Sequence, residues 1–422
     1  MAIISERENF TSIDSLRERE LSNLNNLEDL IRKNNLENTI QKNSILPLVT
    51  TGEFEGESSI KLGFSIDDNE GEYELSFNKD GLLYESLDYL INKQKGNLFS
   101  IKRNKLPNGI NKELDIYFSP QLFLKQKRVE TNLKEELNSI WGQHSFLSLY
   151  KYYVSTQLNQ DTQKELNLNL AKVIQYFSHL TVLYRTKSSM EGSLASQKRL
   201  LGAITHGKAI NLNTEKSLSH FKQDLTDLED SLNEFFPRLY TDIRKVFYKS
   251  EVNGDEATYN LFFRKLINGK LIDVPYNLES TGTQKLLSIF PFIIAFLEGN
   301  TVIVDEIDDG IHDLLMKRII GAVKDVLESE EDGDCSCHPG QLIFTTHDTT
   351  LMQDILGTKD IYLIEVDSNA NKRIVSLDQL DKKLQSNHNI FKLYLERHLG
   401  GTPYDMSLDL EEISDILNIN EE

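Results

Sequence analysis

The chain has 422 residues, 39% of them hydrophobic, and a formal net charge of −20 at pH 7. That length can bury a sizeable core in one or two domains, and the acidic excess argues against a protein-wide footprint for a nucleic-acid backbone. The two cysteines, Cys335 and Cys337, share one acidic loop with His338; this is too few ligands for a metal centre and gives no disulfide framework, in keeping with a reducing, cytoplasmic setting.

In chain order, MAIISERENF lacks the positive cluster and apolar run of a signal peptide. Residues 1–45 repeat Leu at three- and four-residue intervals and read as a polar helix. The alternating runs SSIKLGFSI and GEYELSFNK, separated by Asp67-Asp68-Asn69-Glu70-Gly71, carry a hairpin signature, and NLFSIKRN reads as a further strand. Lys93, Lys95, Lys102, Arg103, Lys105 and Lys112, with Phe99 among them, form a basic stretch. Such a stretch could touch a nucleic-acid backbone or be a solvated face, since Glu113 and Asp115 offset its end.

Residues 120–250 show helix-like apolar spacing, as in AKVIQYFSHLTVLY, without a sustained heptad seam. They predict a compact helical insertion whose aromatic residues, Trp141, Tyr150, Tyr176 and Phe177 among them, serve packing. Asn268-Gly269 between apolar runs predicts a tight hairpin. The most apolar run, Leu286 to Leu297, is interrupted by Pro291 and is too short to span a bilayer.

Three short texts follow in order. Ser280-Thr281-Gly282-Thr283-Gln284 opens an apolar helix, with Ser280 as N-cap and free N–H groups suited to a phosphate. Thr301-Val302-Ile303-Val304 is a β-branched run expected to be buried on both faces. It delivers Asp305 and Glu306 to a strand's carboxyl end, where open α/β sheets place their chemistry. There Asp305 could hold Mg²⁺ and Glu306 could deprotonate a water; an acidic surface turn is the plainer alternative. Gln341-Leu342-Ile343-Phe344-Thr345-Thr346-His347 reads as a second buried strand ending in a histidine.

Taken together, the three texts resemble the ABC-type ATPase heads of bacterial AAA-family proteins from phage-defence and abortive-infection loci, with SMC and OLD-type heads as more distant relatives. The resemblance implies an α/β head with a P-loop NTPase-like mixed sheet, an antiparallel β-layer and a helical insertion. Its parts would be 1–119 and 251–422 for the two halves of the head, and 120–250 for the insertion. Ser280, Gly282, Thr283 and Gln284 would form the signature that meets ATP bound by a second subunit. Asp305 would be the Walker B aspartate on Mg²⁺, and Glu306 the catalytic base. Asp309, Gly310, Ile311 and His312 would be the D-loop, and His347 the switch histidine. DIYLIEVDSNANKRIVSLDQL and FKLYLERHLGGTPYD are similar to the family's closing strands and ending.

The implied function is ATP binding and hydrolysis that drives head dimerisation and controls a separate effector chain, with nucleic acid a further conceivable partner and no membrane. Two alternatives remain: a signature-donating or scaffold subunit that hydrolyses nothing alone, and a nucleic-acid-binding module with vestigial ATPase motifs. The sequence contains no G-x-x-x-x-G-K-[ST]. The resemblance places that loop upstream of Met1, on a strand close to Thr301–Val304, so that Val302 and Val304 are expected to be partly uncovered.

Overall fold

The computed structural model describes residues 57–396, apart from 79–80, 105–113, 125, 143, 158–165, 184–203, 211, 332–337, 367–371 and 381–389. The expected helix over 1–45, the two cysteines, Lys105, Lys112 and the ending beyond residue 396 lie outside the described residues. The chain divides into two compact units. The first holds residues 1–280, 286–305 and 337–344, and the second 281–285, 306–336 and 345–422.

The first unit begins with an antiparallel meander: β1 (Ser58–Ile66), β2 (Asn69–Asn78), β3 (Gly81–Ile91), β4 (Gln94–Arg103) and β5 (Leu114–Phe118), in that order across the sheet. The β1–β2 turn is just Asp67-Asp68, both at positive φ (51° and 60°), which matches the right-handed twist of the flanking strands. Helices α1 (Lys127–Ile140), α2 (Phe146–Gln157) and α3 (Leu168–Ser178) contribute to the same core. Leu133, Leu137, Phe146, Leu170 and Val173 join Tyr73, Leu87, Leu98 and Phe99 there, all fully buried.

One carboxylate sits in that apolar core. Glu85 on β3 is 0% exposed and accepts hydrogen bonds from Tyr73 Oη (2.9 Å), Trp141 Nε1 (2.8 Å), Phe146 N (2.6 Å) and Leu147 N (3.4 Å). Phe146 and Leu147 open α2, so Glu85 satisfies N–H groups the helix start would otherwise orphan. Burial pushes its carboxyl above the ordinary range, and the four donors pull it back only in part.

The basic stretch does not form one patch. Lys93 and Lys95 sit at one end of β4 and Lys102 and Arg103 at the other, roughly 20 Å apart at about 3.3 Å per residue. Arg103 is used structurally: it donates to the carbonyls of Leu82 (3.2 Å) and Trp141 (3.0 Å) and lies over the Trp141 ring.

A second sheet joins β7 (His206–Ala209), β8 (Ile243–Asn253), β9 (Glu256–Ile267) and β10 (Lys270–Pro275). Strand β9 is central, with β8 along one edge and β10 and β7 along the other. Asn268-Gly269, both at positive φ, make the predicted β9–β10 turn. Helix α4 (Glu215–Leu239) covers one face, where Phe236 meets Phe263 edge-on at 5.3 Å.

The third sheet is parallel, in the order β12 (Gln341–Phe344), β11 (Thr301–Val304), β6 (Leu180–Leu183). Strands β6 and β7 and most of β8 lie inside the stretch read as helical. In Leu180-Thr181-Val182-Leu183 the β-branched residues pair with β11 instead of extending α3. Val302 and Val304 are 0% exposed while Thr301 and Ile303 are half-buried, so only one face of β11 is fully covered. The expectation that Val302 and Val304 would be partly uncovered is therefore corrected. Both edges of β11 are occupied, and any further strand must add at the outer edge of β12 or β6. Strand β12 is an edge strand among the described residues, with Ile343 44% exposed, and is not the buried strand its composition suggested.

Helix α5 (Thr281–Leu297) continues through Pro291. In the second unit, α6 (Asp313–Glu331) precedes a small hairpin, β13 (Tyr362–Val366) with β14 (Lys372–Ser376), packed on Ile361, Leu363 and Leu377. No helix of the described residues is long and apolar enough to cross a membrane.

Candidate functional site

The parallel sheet delivers two loops from adjacent strand ends. After β11, Asp305 N–H still donates to the Leu183 carbonyl (2.8 Å), so pairing with β6 persists to the first of the two acids. Glu306 then turns the chain with φ at 49°, a left-handed conformation that is rare for a residue with a side chain. Such a conformation costs of order 1–3 kcal/mol and persists where its surroundings over-determine it.

The loop after β12 supplies that determination. Thr345 accepts the Glu306 N–H at its Oγ1 (2.7 Å) and the Ile307 N–H at its carbonyl (3.0 Å). In return, the His347 N–H points at both carboxylate oxygens of Asp308, each at 3.3 Å. Asp348, largely buried, accepts from Thr350 N (2.9 Å) and Oγ1 (2.6 Å), which closes the loop with an Asx-type turn. These bonds bring Glu306 and His347 together. His347 Nε2 lies 3.9 Å from Glu306 Oε1, beyond direct hydrogen-bond range. The His347 side chain is 86% exposed and that of Glu306 only 25%.

The start of α5 belongs to the same unit. A Cβ on Gly282 would stand 3.0 Å from the Gly310 carbonyl oxygen, so the helix start and the 309–312 turn approach backbone to backbone. Lys285 Nζ lies 4.0 Å from Asp309 Oδ2 across the same approach. Thr283 is buried at 1% exposure, Gly282 and Gln284 are half-buried, and Ser280, which ends the first unit's segment, is exposed. Gly310 has φ 72°, a value glycine adopts freely. His312 acts as a helix cap: its carbonyl accepts from Leu315 and Met316 N–H, and its Nδ1 from Leu314 N–H at 3.2 Å.

The structure thus gathers Gly282, Glu306, Asp309, Gly310 and His347 within one unit, with Asp305 one peptide bond away. Sequence reasoning missed the residues that fasten the loops, Asp308, Thr345 and Lys285. The available signals were a third acid in DEIDD, a hydroxyl pair before the histidine, and a cation in the first turn of α5. In the first unit, Glu279 is buried and its Oε2 pairs with Lys265 Nζ (3.2 Å), which also reaches Asp242 (3.0 Å).

The donor chemistry at the end of β11 is carboxylate only. Among the described residues no group of three or more His, Cys, Asp or Glu side chains could enclose a metal. That pattern is unlike a structural zinc site and fits Mg²⁺, which binds through one or two carboxylates and keeps water or phosphate oxygens as its other ligands.

Residues 162–353, fewer than half of the chain, match the family described as "AAA domain, putative AbiEii toxin, Type IV TA system". The match supports an ATPase-like domain of the AAA kind and includes Ser280 to Gln284, Asp305, Glu306 and His347. Two solved structures with some similarity concern SMC ATPases. One comes from work on "ATP-driven dimerization and DNA stimulated activation of SMC ATPases": 17% identity, 43% of this chain, 96% of that chain, TM-score 0.27. The other is the Smc head domain with an extended coiled coil bound to the C-terminal domain of ScpA, from Pyrococcus furiosus. It shows 12% identity over 77% of this chain and 78% of that chain, with a TM-score of 0.32. Scores at this level establish neither a shared overall fold nor a shared activity. No curated protein matches the chain.

Proposed function

We propose that this chain binds and hydrolyses ATP as an ABC-type head, and that ATP-dependent dimerisation of heads controls a partner effector in a bacterial defence-type assembly. The observation that carries this reading is the pairing of Glu306 with His347 at 3.9 Å, held by the Thr345 and Asp308 fastenings between two adjacent strand-end loops.

Glu306 takes the proton of a water as that water attacks the terminal phosphate. A fixed backbone makes its carboxylate a positioned base rather than a mobile surface acid. His347, exposed beside it, presents a ring N–H to the oxygen charge that develops on the phosphoryl group. Asp305 is the residue that would hold Mg²⁺, which when bound neutralises phosphate charge. Ser280 and the N–H groups at the start of α5 are offered outward, to ATP held by a second copy. The contact between Gly282 and Gly310 then ties the face that meets the second copy to the loop that carries Glu306. A strand bearing the phosphate-cradling loop would add at the outer edge of β12 or of β6, neither of which is taken by another strand among the described residues.

The test is nucleotide binding and turnover by a version of the protein that carries a phosphate-cradling loop, and by Glu306→Gln in that version. The expected result is ATP binding in both, with turnover in the variant lower by about 10²-fold or more, the scale of losing a general base. Equal turnover, or no ATP binding by either protein, overturns the reading. An ATP-dependent doubling of mass in light scattering, lost in Gly282→Asp, tests the dimer.

A further inference from the structure

The face of the β7–β10 sheet turned away from α4 has no role in the reading above. Its register places Phe247 directly opposite Phe262, with Lys245 opposite Arg264 and Lys249 opposite Asn260. On the other side of β9, His206 faces Asn260, Lys208 faces Thr258 and Asp273 faces Arg264. The alternate residues Val246, Tyr248, Leu261 and Phe263 are buried on the α4 side. The result is an antiparallel sheet, backed by a long helix and with a register shift between Ile243 and Lys245, that carries two half-buried rings on adjacent strands.

The two rings are half-buried and stacked, with centroids 5.9 Å apart and planes 28° apart. Lys249 Nζ lies 4.1 Å from the Phe262 centroid, and Arg264 Cζ lies 5.0 Å from that of Phe247. Asp273 orients both cations, at 3.6 Å from Lys249 and 2.8 Å from Arg264. Counted over the face, the four cations Lys208, Lys245, Lys249 and Arg264 stand against the three acids Glu251, Glu256 and Asp273, and Glu256 pairs with Lys208 at 2.8 Å. Cations outnumber acids by one here, on a chain whose net charge is −20, and Lys245 has no acidic residue directly opposite it in the register. Leu271, 62% exposed, and Leu266 opposite it continue the apolar strip toward the hairpin tip.

We propose that this face binds single-stranded nucleic acid, with unpaired bases on Phe247 and Phe262 and the backbone along Lys245, Lys249, Lys208 and Arg264. Positive charge alone would suit any anionic partner. Two aromatic side chains side by side in the middle of the charge select a ligand that has flat faces as well as phosphates. The cations now over the rings do not block this. Lys249 is 54% exposed in its side chain and Arg264 40%, so each can swing to a phosphate. A cation–π contact at an exposed site is also weaker than the stacking of a base on the same ring. The role is independent of Glu306 and His347 and requires no ATP.

The experiment is fluorescence anisotropy with labelled oligothymidylate and oligouridylate of about 20 nucleotides and a duplex of equal length, at about 50 and about 200 mM salt. The single strands should bind at least tenfold more tightly than the duplex and weaken as salt rises. Phe247→Leu and Phe262→Leu keep the apolar bulk and remove the ring face, and each should weaken binding about tenfold. Should either variant melt early, photocrosslinking of a 5-bromouridine oligonucleotide to the unaltered chain replaces it, with crosslinks expected in β8 and β9. The proposal is overturned by no binding at low salt, by a duplex bound as tightly as a single strand, by ring variants that bind normally, or by crosslinks elsewhere. Full displacement by polyglutamate with no effect of the rings would also overturn it, and would mark the face as a site for an acidic protein.

Discussion

Glu85 in the β1–β5 sheet and Glu306 after β11 are both carboxylates placed among backbone N–H groups, under opposite conditions. Glu85 has no exposed surface and accepts from four donors across β2, the start of α2 and Trp141. Glu306 keeps a quarter of its side chain exposed, and its fastening is through its own N–H to Thr345, which leaves the carboxylate out of that bond. In the first case the backbone is relaxed and the side chain is locked. In the second the backbone sits in the left-handed region and the carboxylate faces a histidine. A carboxylate used to hold a fold is surrounded, whereas the one for which a proton-transfer role is proposed is left open beside a histidine.

Variants at the two positions should therefore separate stability from turnover. The largest effect is expected from Glu85→Leu, which strips the acceptor from Tyr73, Trp141 and Phe146. Orphaned buried donors cost about 1–3 kcal/mol each, so urea unfolding should show a loss of at least about 3 kcal/mol. A loss below about 1 kcal/mol would show that the network adds little. Next is Glu306→Gln, whose turnover should fall about 10²-fold while its unfolding free energy stays within about 0.5 kcal/mol of the parent. Glu306→Gly sharpens the contrast. It should lose turnover while gaining up to about 1 kcal/mol in stability, because glycine occupies the left-handed region without penalty. A destabilised Glu306→Gly would mean that the backbone there is not strained.

The smallest effect is a pH dependence. Glu85 has its carboxyl pushed above the ordinary range by burial. A raised folded value means the folded state holds its proton more tightly than the unfolded state. The contribution is therefore full below the ordinary carboxylate value and is lost as pH rises through the raised one. Relative to Glu85→Gln, which does not titrate, the parent should lose stability as pH rises from the ordinary carboxylate range through the raised value, read in urea melts. A difference that stays flat, or grows with pH, would show the donors outweigh burial.

How far the sequence revealed this depended on whether a feature is local. The β1–β2 and β9–β10 turns were legible because Asp67-Asp68 and Asn268-Gly269 decide them within two residues. Asp305, Glu306 and His347 were legible because strand ends mark them. Strand β6 was not, because Leu180 to Leu183 continues an apolar helical pattern, and only its parallel partner, distant in sequence, makes it a strand. The exposure of Ile343 on β12 was hidden for the same reason: an apolar four-residue run looks identical in the middle of a sheet and at its edge. Asp308 and Thr345 were missed because their partners belong to the other loop.

The long separation between β6 and its partner also sets an order of assembly on the ribosome. Strands β1 to β5 each pair with the next in line, so that sheet can close while the chain is still emerging. Strand β6 leaves the exit tunnel before β11, its partner among the described strands, has been made. Its partner follows roughly 120 residues later, which at about 5–20 residues per second is some 6–24 seconds of synthesis. Through that interval the pairing of Leu180 to Leu183 with β11 cannot form, so the parallel sheet is completed only after the β1–β5 sheet has all of its strands.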